Sequence, residues 1–192
     1  MTEYRRFQEL AEIAVTCLDE SSIDYVLVGG ATIGVYGIIR STEDLDFMLK
    51  LESSDEKKIT TFIECLQNNH LSITKEELIQ GLEEQSHITV FDLKSPLLRL
   101  DLKQIRTEID YSTYNLRKKV DLFGSGKDFW ISSPESIIVV KLLPGFQSEK
   151  DLEDVRGILL RSSDILDWSL LEELSETFGS DKMLKKIRNE LR

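Results

Sequence analysis

The segment "YVLVGGATIGVYGIIRSTEDLDFML", Tyr25 to Leu49, constrains this chain more than any other. It opens as an apolar run, closes on Gly29-Gly30, and ends in an apolar stretch that carries Asp44 and Asp46 one residue apart. Side chains at i and i+2 of a strand share a face. "EDLDFMLK" is therefore predicted to be a strand with Leu45, Phe47 and Leu49 on one face and Asp44, Asp46 and Met48 on the other. Two carboxylates held that close repel, and one is driven protonated unless a cation neutralises both. The preceding "DYVLVGG" is predicted to be a short buried strand whose glycines allow a tight turn into a short helix over "ATIGVYGIIR".

The rest of the chain alternates helix and strand, then turns helical. A helix is predicted over 3–20, another over 53–69 with Ser53 or Ser54 as N-cap, and a weaker helical piece at "KEELIQGLEEQ". "HITVFDLK" and "LLRLDLKQI" form a hairpin around Ser95-Pro96, while 106–119 shows no assignable pattern. "VDLF", "GSGK" and "DFWIS" suggest strand, turn and strand. Ser133-Pro134-Glu135 is a helix start, with an N-cap candidate, Pro at the first helical position and an acid at the positive end. That helix runs to Pro144-Gly145, and three more follow at about 149–162, 164–178 and 180–191. The expectation is an α+β fold: a mixed sheet packed by helices over 1–130, then a helical subdomain over 131–192.

Several function classes are disfavoured. The longest uncharged run, Tyr25 to Ile39, has 15 residues and four glycines, too short to span a membrane. "MTEYRRFQEL" lacks the apolar stretch of a signal peptide, which points to the cytoplasm and to no membrane partner. Cys17 and Cys65, 48 positions apart with no His partner pattern, are expected to be buried reduced thiols rather than a metal site or disulfide. A net charge of −11 disfavours a general nucleic-acid binder. The basic clusters Arg117-Lys118-Lys119 and "KMLKKIRNELR" read as solvated helix faces. His70 and His87 read as surface residues, and Trp130 and Trp168 as packing.

The acid pair asks for a third carboxylate on a neighbouring strand. Asp101 in "RLDLKQ", flanked by Leu100 and Leu102, is the natural candidate, and Asp92 in "TVFDLK" is its rival. Hard cations such as Mg²⁺ or Mn²⁺ take oxygen ligands and keep waters for substrate phosphates. Two such ions stabilise the attacking and leaving oxygens of a displacement at phosphorus. Gly29-Gly30, at a strand-to-helix junction, lets backbone N–H groups approach a phosphate, and Thr32 adds a hydroxyl.

Gly-Gly, a short helix, an apolar-flanked Asp-x-Asp and a later strand Asp together resemble the nucleotidyltransferase superfamily with the DNA polymerase β-like fold. "VGGATIGVYGIIRSTEDLDFML" is more closely similar to the AbiEii-like nucleotidyltransferases, which include toxins of toxin–antitoxin systems. That group's Arg-x-Thr-x-Asp-x-Asp string is matched by Arg40 through Asp46. Its Ser-Pro-Glu start, helix lysine and Lys-Asp-x-x-Asp string correspond to Ser133-Pro134-Glu135, Lys141 and Lys150 through Asp154.

The resemblance implies a nucleotidyltransferase fold and transfer of a nucleoside monophosphate from an NTP. The phosphates would lie over Gly29-Gly30, with Asp44 and Asp46 holding two ions and Asp101 the ion that activates the acceptor. Lys141 or Lys150 would neutralise the triphosphate, and Arg40 would contact the nucleotide or pin its loop to a strand carboxylate. The acceptor is left open between an RNA end such as that of tRNA, a protein and a small molecule, and the resemblance adds an antitoxin-type protein as a further partner. Asp151 and Asp154, at i and i+3 in a first turn, read as capping or structural acids. One departure stands out: Gln147-Ser148-Glu149 occupy the place where similar members carry an arginine. It motivates the alternative of a catalytically silent binding or regulatory protein on the same fold.

Overall fold

The structure, a computed structural model, describes residues 4–38, 42–145 and 147–191. Along the chain run α1 (Phe7–Glu20), β1 (Asp24–Val28), α2 (Gly30–Ile33) with a 3₁₀ turn over Gly34–Tyr36, β2 (Asp44–Lys50), α3 (Glu56–Asn68) and β3 (Leu71–Ser72). Then come α4 (Lys75–Glu84), β4 (Ile88–Asp92), β5 (Arg99–Gln104), α5 (Glu108–Asn115), β6 (Lys118–Val120) and β7 (Phe129–Ile131). Four helices close the chain: α6 (Pro134–Lys141), α7 (Glu149–Arg161), α8 (Trp168–Thr177) and α9 (Asp181–Glu190). The strands form one seven-stranded mixed sheet in the order β3-β4-β5-β2-β1-β7-β6. This is the α+β architecture expected from the sequence, including the β4–β5 hairpin and the C-terminal helices.

β2 lies in the middle, antiparallel to β1 and parallel to β5. Its alternation works as the pattern predicts. Leu45, Phe47 and Leu49 enter the main apolar cluster, together with residues of α1, α3 and the C-terminal helices. Met48, on the other face, joins a small cluster with Val26, Ile105 and Tyr114. The sheet therefore has one thickly covered face and one that α5 covers only at one end.

Three local readings are corrected. The unassigned stretch contains α5, opened by a capping box of Thr107 and Asp110. Its buried positions are Asp110, Thr113 and Tyr114, so no apolar period announces it. α3 begins one residue past Asp55, which takes the N-cap place assigned to Ser53 or Ser54. Cys17 and Cys65 are a disulfide, with Cα atoms 5.5 Å apart, and not reduced thiols. Separation along the chain does not show that α1 and α3 lie side by side on the covered face of the sheet with these positions facing. Cross-linking residues 48 apart constrains the unfolded chain. Reduction is expected to cost about 2–4 kcal/mol, read as a lower unfolding midpoint in dithiothreitol than without it.

Among the described residues, no helix is long and apolar enough to cross a membrane.

Candidate active site

The open half of the sheet face is built by register. Asp46 of β2 lies directly opposite Asp101 of β5, and Asp44 opposite Arg99. Across β5, Asp101 faces Thr89 of β4, and across β2, Asp46 faces Val28 of β1. Parallel pairing thus places three carboxylates from two strands in one patch, with no loop needed to bring them together. Parity also separates the two rival acids. Thr89 shares the face of Asp101, so Asp92, three residues later, points to the covered side. There it is buried, paired with Arg5 at 3.0 Å, and accepts the backbone N–H of Lys94 at 2.8 Å. Asp92 ties the N-terminus to the hairpin.

The carboxylates are held by polar neighbours. Arg99 Nη2 donates to Asp44 Oδ2 at 2.9 Å, and Arg99 Nε to Asp101 Oδ2 at 3.1 Å. The Thr89 hydroxyl donates to Asp101 Oδ1 at 2.7 Å, and the Thr42 hydroxyl donates to Asp44 Oδ1. Hydrogen bonding and charge from Asp101, then charge from Asp44 and Asp46, raise the Arg99 guanidinium above its ordinary value. Neither Arg99 nor Thr89 belongs to a motif read from the sequence, and Thr42 enters there only as the threonine of the Arg-x-Thr-x-Asp-x-Asp string. The signal for Arg99 was available in its spacing, two residues before Asp101 on the same face of β5.

Gly29 adjoins this patch. Its backbone, at φ 70° and ψ −151°, occupies a region open essentially to glycine alone. A Cβ there would sit 2.0 Å from Asp46 Oδ2. The turn after β1 is thus packed directly on a carboxylate, which is why this first glycine cannot be another residue. Gly30 opens α2, a single helical turn. Thr32 is fully buried, and its hydroxyl donates to Gly29 O at 2.9 Å, so it braces the turn. Arg40 lies outside the described residues.

The two lysines lie on α6 and α7. Lys141, 15% exposed, bridges Asp151 at 2.6 Å and Asp154 at 2.9 Å. This is the partner that an apolar setting requires of a lysine. Asp151 also completes a capping box with Ser148 at the start of α7. Lys150 is exposed in the first turn of the same helix. Glu135 of the Ser-Pro-Glu start is buried and accepts the Asp167 N–H at 2.9 Å, joining α6 to the start of α8.

Burial pushes the Asp151 carboxyl up, but bonds from Lys141 and Ser148 outweigh it, leaving its pKa below the ordinary 3.8. A depressed folded value contributes stability above the unfolded value, lost as pH falls through the folded one. Lys141→Met is expected to cost about 3 kcal/mol at neutral pH by stranding two acids. The loss should shrink as pH drops below the ordinary carboxylate value, which chemical denaturation across pH reads directly.

Three aspartates on one rigid sheet face suit hard cations with oxygen ligands. As the side chains stand, no group of three His, Cys, Asp or Glu among the described residues is arranged to enclose an ion. The Arg99 guanidinium bridges Asp44 and Asp101. In donor chemistry the residues fit divalent ions. Asp44, Asp46 and Asp101 would hold them, and such ions would supply charge stabilisation at a phosphoryl group.

Residues 5–192 match the family described as "Nucleotidyltransferase of unknown function (DUF6036)". The chain belongs to this family. It is an enzyme of the nucleotidyltransferase class. No curated protein matches the chain. Among solved structures it is similar to ANT(2")-Ia in complex with adenylyl-2"-tobramycin, with 14% identity, TM-score 0.56, and 89% of this chain and 95% of that chain covered. It is similar also to an antigenic nucleotidyltransferase-like protein from Paracoccidioides brasiliensis, with 15% identity, TM-score 0.51, and coverage of 92% and 90%. A third similar structure is the lincosamide adenylyltransferase LnuA bound to lincomycin, with 14% identity, TM-score 0.50, and coverage of 81% and 98%. At these identities the likeness concerns the fold.

Proposed function

We propose that this nucleotidyltransferase moves a nucleoside monophosphate from an NTP to an acceptor in a reaction that depends on Mg²⁺ or Mn²⁺. The observation that carries the reading is the register of β2 on β5, which sets Asp46 beside Asp101, with Gly29 packed against Asp46. Asp44 and Asp46 would hold both ions, and Asp101 would hold the one that activates the acceptor hydroxyl. The Gly29-Gly30 turn receives the phosphates beside Asp46. Lys150, exposed on α7, is the lysine we assign to the polyphosphate, since Lys141 is engaged by two acids.

The acceptor belongs to the same proposal: an RNA end, a protein side chain or a small molecule, the last in keeping with the antibiotics named for two similar structures. A place beside the AbiEii-like group, with the toxin role and antitoxin partner it implies, rests on Thr42-Glu43-Asp44-Leu45-Asp46 and the Ser-Pro-Glu and Lys-Asp strings.

Incubating the protein with each α-labelled NTP, Mg²⁺ and total cell lysate tests the reading. Label is expected in one RNA, protein or small-molecule fraction, and its absence with all four NTPs and both ions sinks transfer. Induced expression of wild type against Asp46→Asn tests the toxin role. Equal growth would remove it.

A further inference from the structure

The acid patch already contains a cation, and that cation belongs to the protein. Arg99 stands opposite Asp44 in the β2–β5 register and two residues from Asp101, so its guanidinium reaches both carboxylates. Its two bonds, at 2.9 and 3.1 Å, go to Oδ2 of each acid, while Thr42 and Thr89 take the Oδ1 atoms. All four oxygens of Asp44 and Asp101 are therefore engaged by donors of the chain itself. A divalent ion at Oδ2 of either acid meets the guanidinium already bonded there and competes with it for the carboxylate. The Arg99 side chain is 38% exposed, so it can leave without disturbing the core.

We propose that Arg99 acts as a resident cation of the acid patch: it competes with bare divalent ions for the carboxylates and yields to an ion that arrives with a triphosphate. This inference rests on the metal-dependent reading above. The energetics favour the order. A bare ion competes with these charge-assisted bonds and offers the guanidinium no new partner but water. An ion carried by an NTP brings phosphate oxygens, which match the planar fork of arginine and replace the bonds it gives up. The patch consequently discriminates between free Mg²⁺ and its nucleotide complex by means of its own side chain.

Mn²⁺ binding to the nucleotide-free protein, measured by calorimetry, tests this on wild type, Arg99→Met and Arg99→Lys. Arg99→Met, which removes the charge and keeps the length, is expected to bind Mn²⁺ about tenfold tighter, roughly 1.4 kcal/mol. Arg99→Lys should stay near wild type. Adding α,β-methylene-ATP should raise Mn²⁺ affinity more in wild type than in Arg99→Met. Unchanged or weaker Mn²⁺ binding by Arg99→Met overturns the proposal, because a bracing role for Arg99 predicts loss.

If that variant fails to fold, the wild type decides. The Arg99 Nε–H resonance, protected by Asp101, should shift and lose protection when Mg²⁺ and α,β-methylene-ATP are added together. A resonance that stays fixed with the ion bound overturns the proposal. Wild type that binds no Mn²⁺ even with the nucleotide analogue would instead overturn the metal-dependent reading itself.

Discussion

Asp46→Asn is expected to lower nucleotidyl transfer on the order of a thousandfold or more while the protein stays folded. Asn keeps the shape that packs against Gly29 but gives up the negative charge opposite Asp101. Charge stabilisation at a transferring phosphoryl group is worth several kcal/mol, and each 1.36 kcal/mol is tenfold in rate. A labelled-NTP assay beside a thermal melt separates the two effects. A folded Asp46→Asn protein with near wild-type transfer would remove Asp46 from the chemistry. Asp44→Asn is expected to behave alike. Asp92→Asn should instead lower stability through the buried Arg5 pair, without a specific effect on transfer.

Gly29→Ala carries the second large effect, and for two separable reasons. The backbone at φ 70° penalises any L side chain, at a cost of about 1–3 kcal/mol. The new methyl would lie 2.0 Å from Asp46 Oδ2 and 2.8 Å from its Cγ, so the carboxylate must leave the position it holds opposite Asp101. Transfer is expected to fall on the order of a hundredfold or more, since a misplacement of about 1 Å already costs that much. A double-mutant cycle divides the causes. In an Asp46→Ala background the clash with the carboxylate disappears and only the backbone strain remains. Gly29→Ala should therefore destabilise that background less than it does wild type. Equal losses in both backgrounds would show that the glycine serves the turn alone.

Most of the site could be read from spacing because it lies on strands. A period of two put Asp44 with Asp46, and apolar flanks put Asp101 on an equivalent strand. Asp101 is preferred to Asp92 already in the sequence, but that the two acids lie on opposite faces is seen only in the pairing of β4 with β5. Arg99 escaped notice for a related reason: its spacing to Asp101 was plain, but its place opposite Asp44 exists only once β5 pairs with β2. The disulfide failed similarly, because two half-turn choices on α1 and α3 decide whether Cys17 meets Cys65. Helix α5 was hidden by its polar buried side chains, held by a capping box and by the Lys103–Asp110 pair at 2.8 Å. Lys141 is a similar case: the two acids of α7 that bind it are seen only once α6 packs beside α7.

The central place of β2 also bears on how the molecule comes apart. Its backbone is hydrogen-bonded on both sides, and its apolar face is sealed by the main cluster. In native-state hydrogen exchange such a strand belongs to the last unit to open, whereas short edge strands and terminal helices open at lower free energy. Asp44 and Asp46 therefore sit on the slowest-exchanging part of the chain. Deuterium should enter α9 and β6 long before it enters β2, and the acid patch should persist through every partial opening that spares the middle of the sheet.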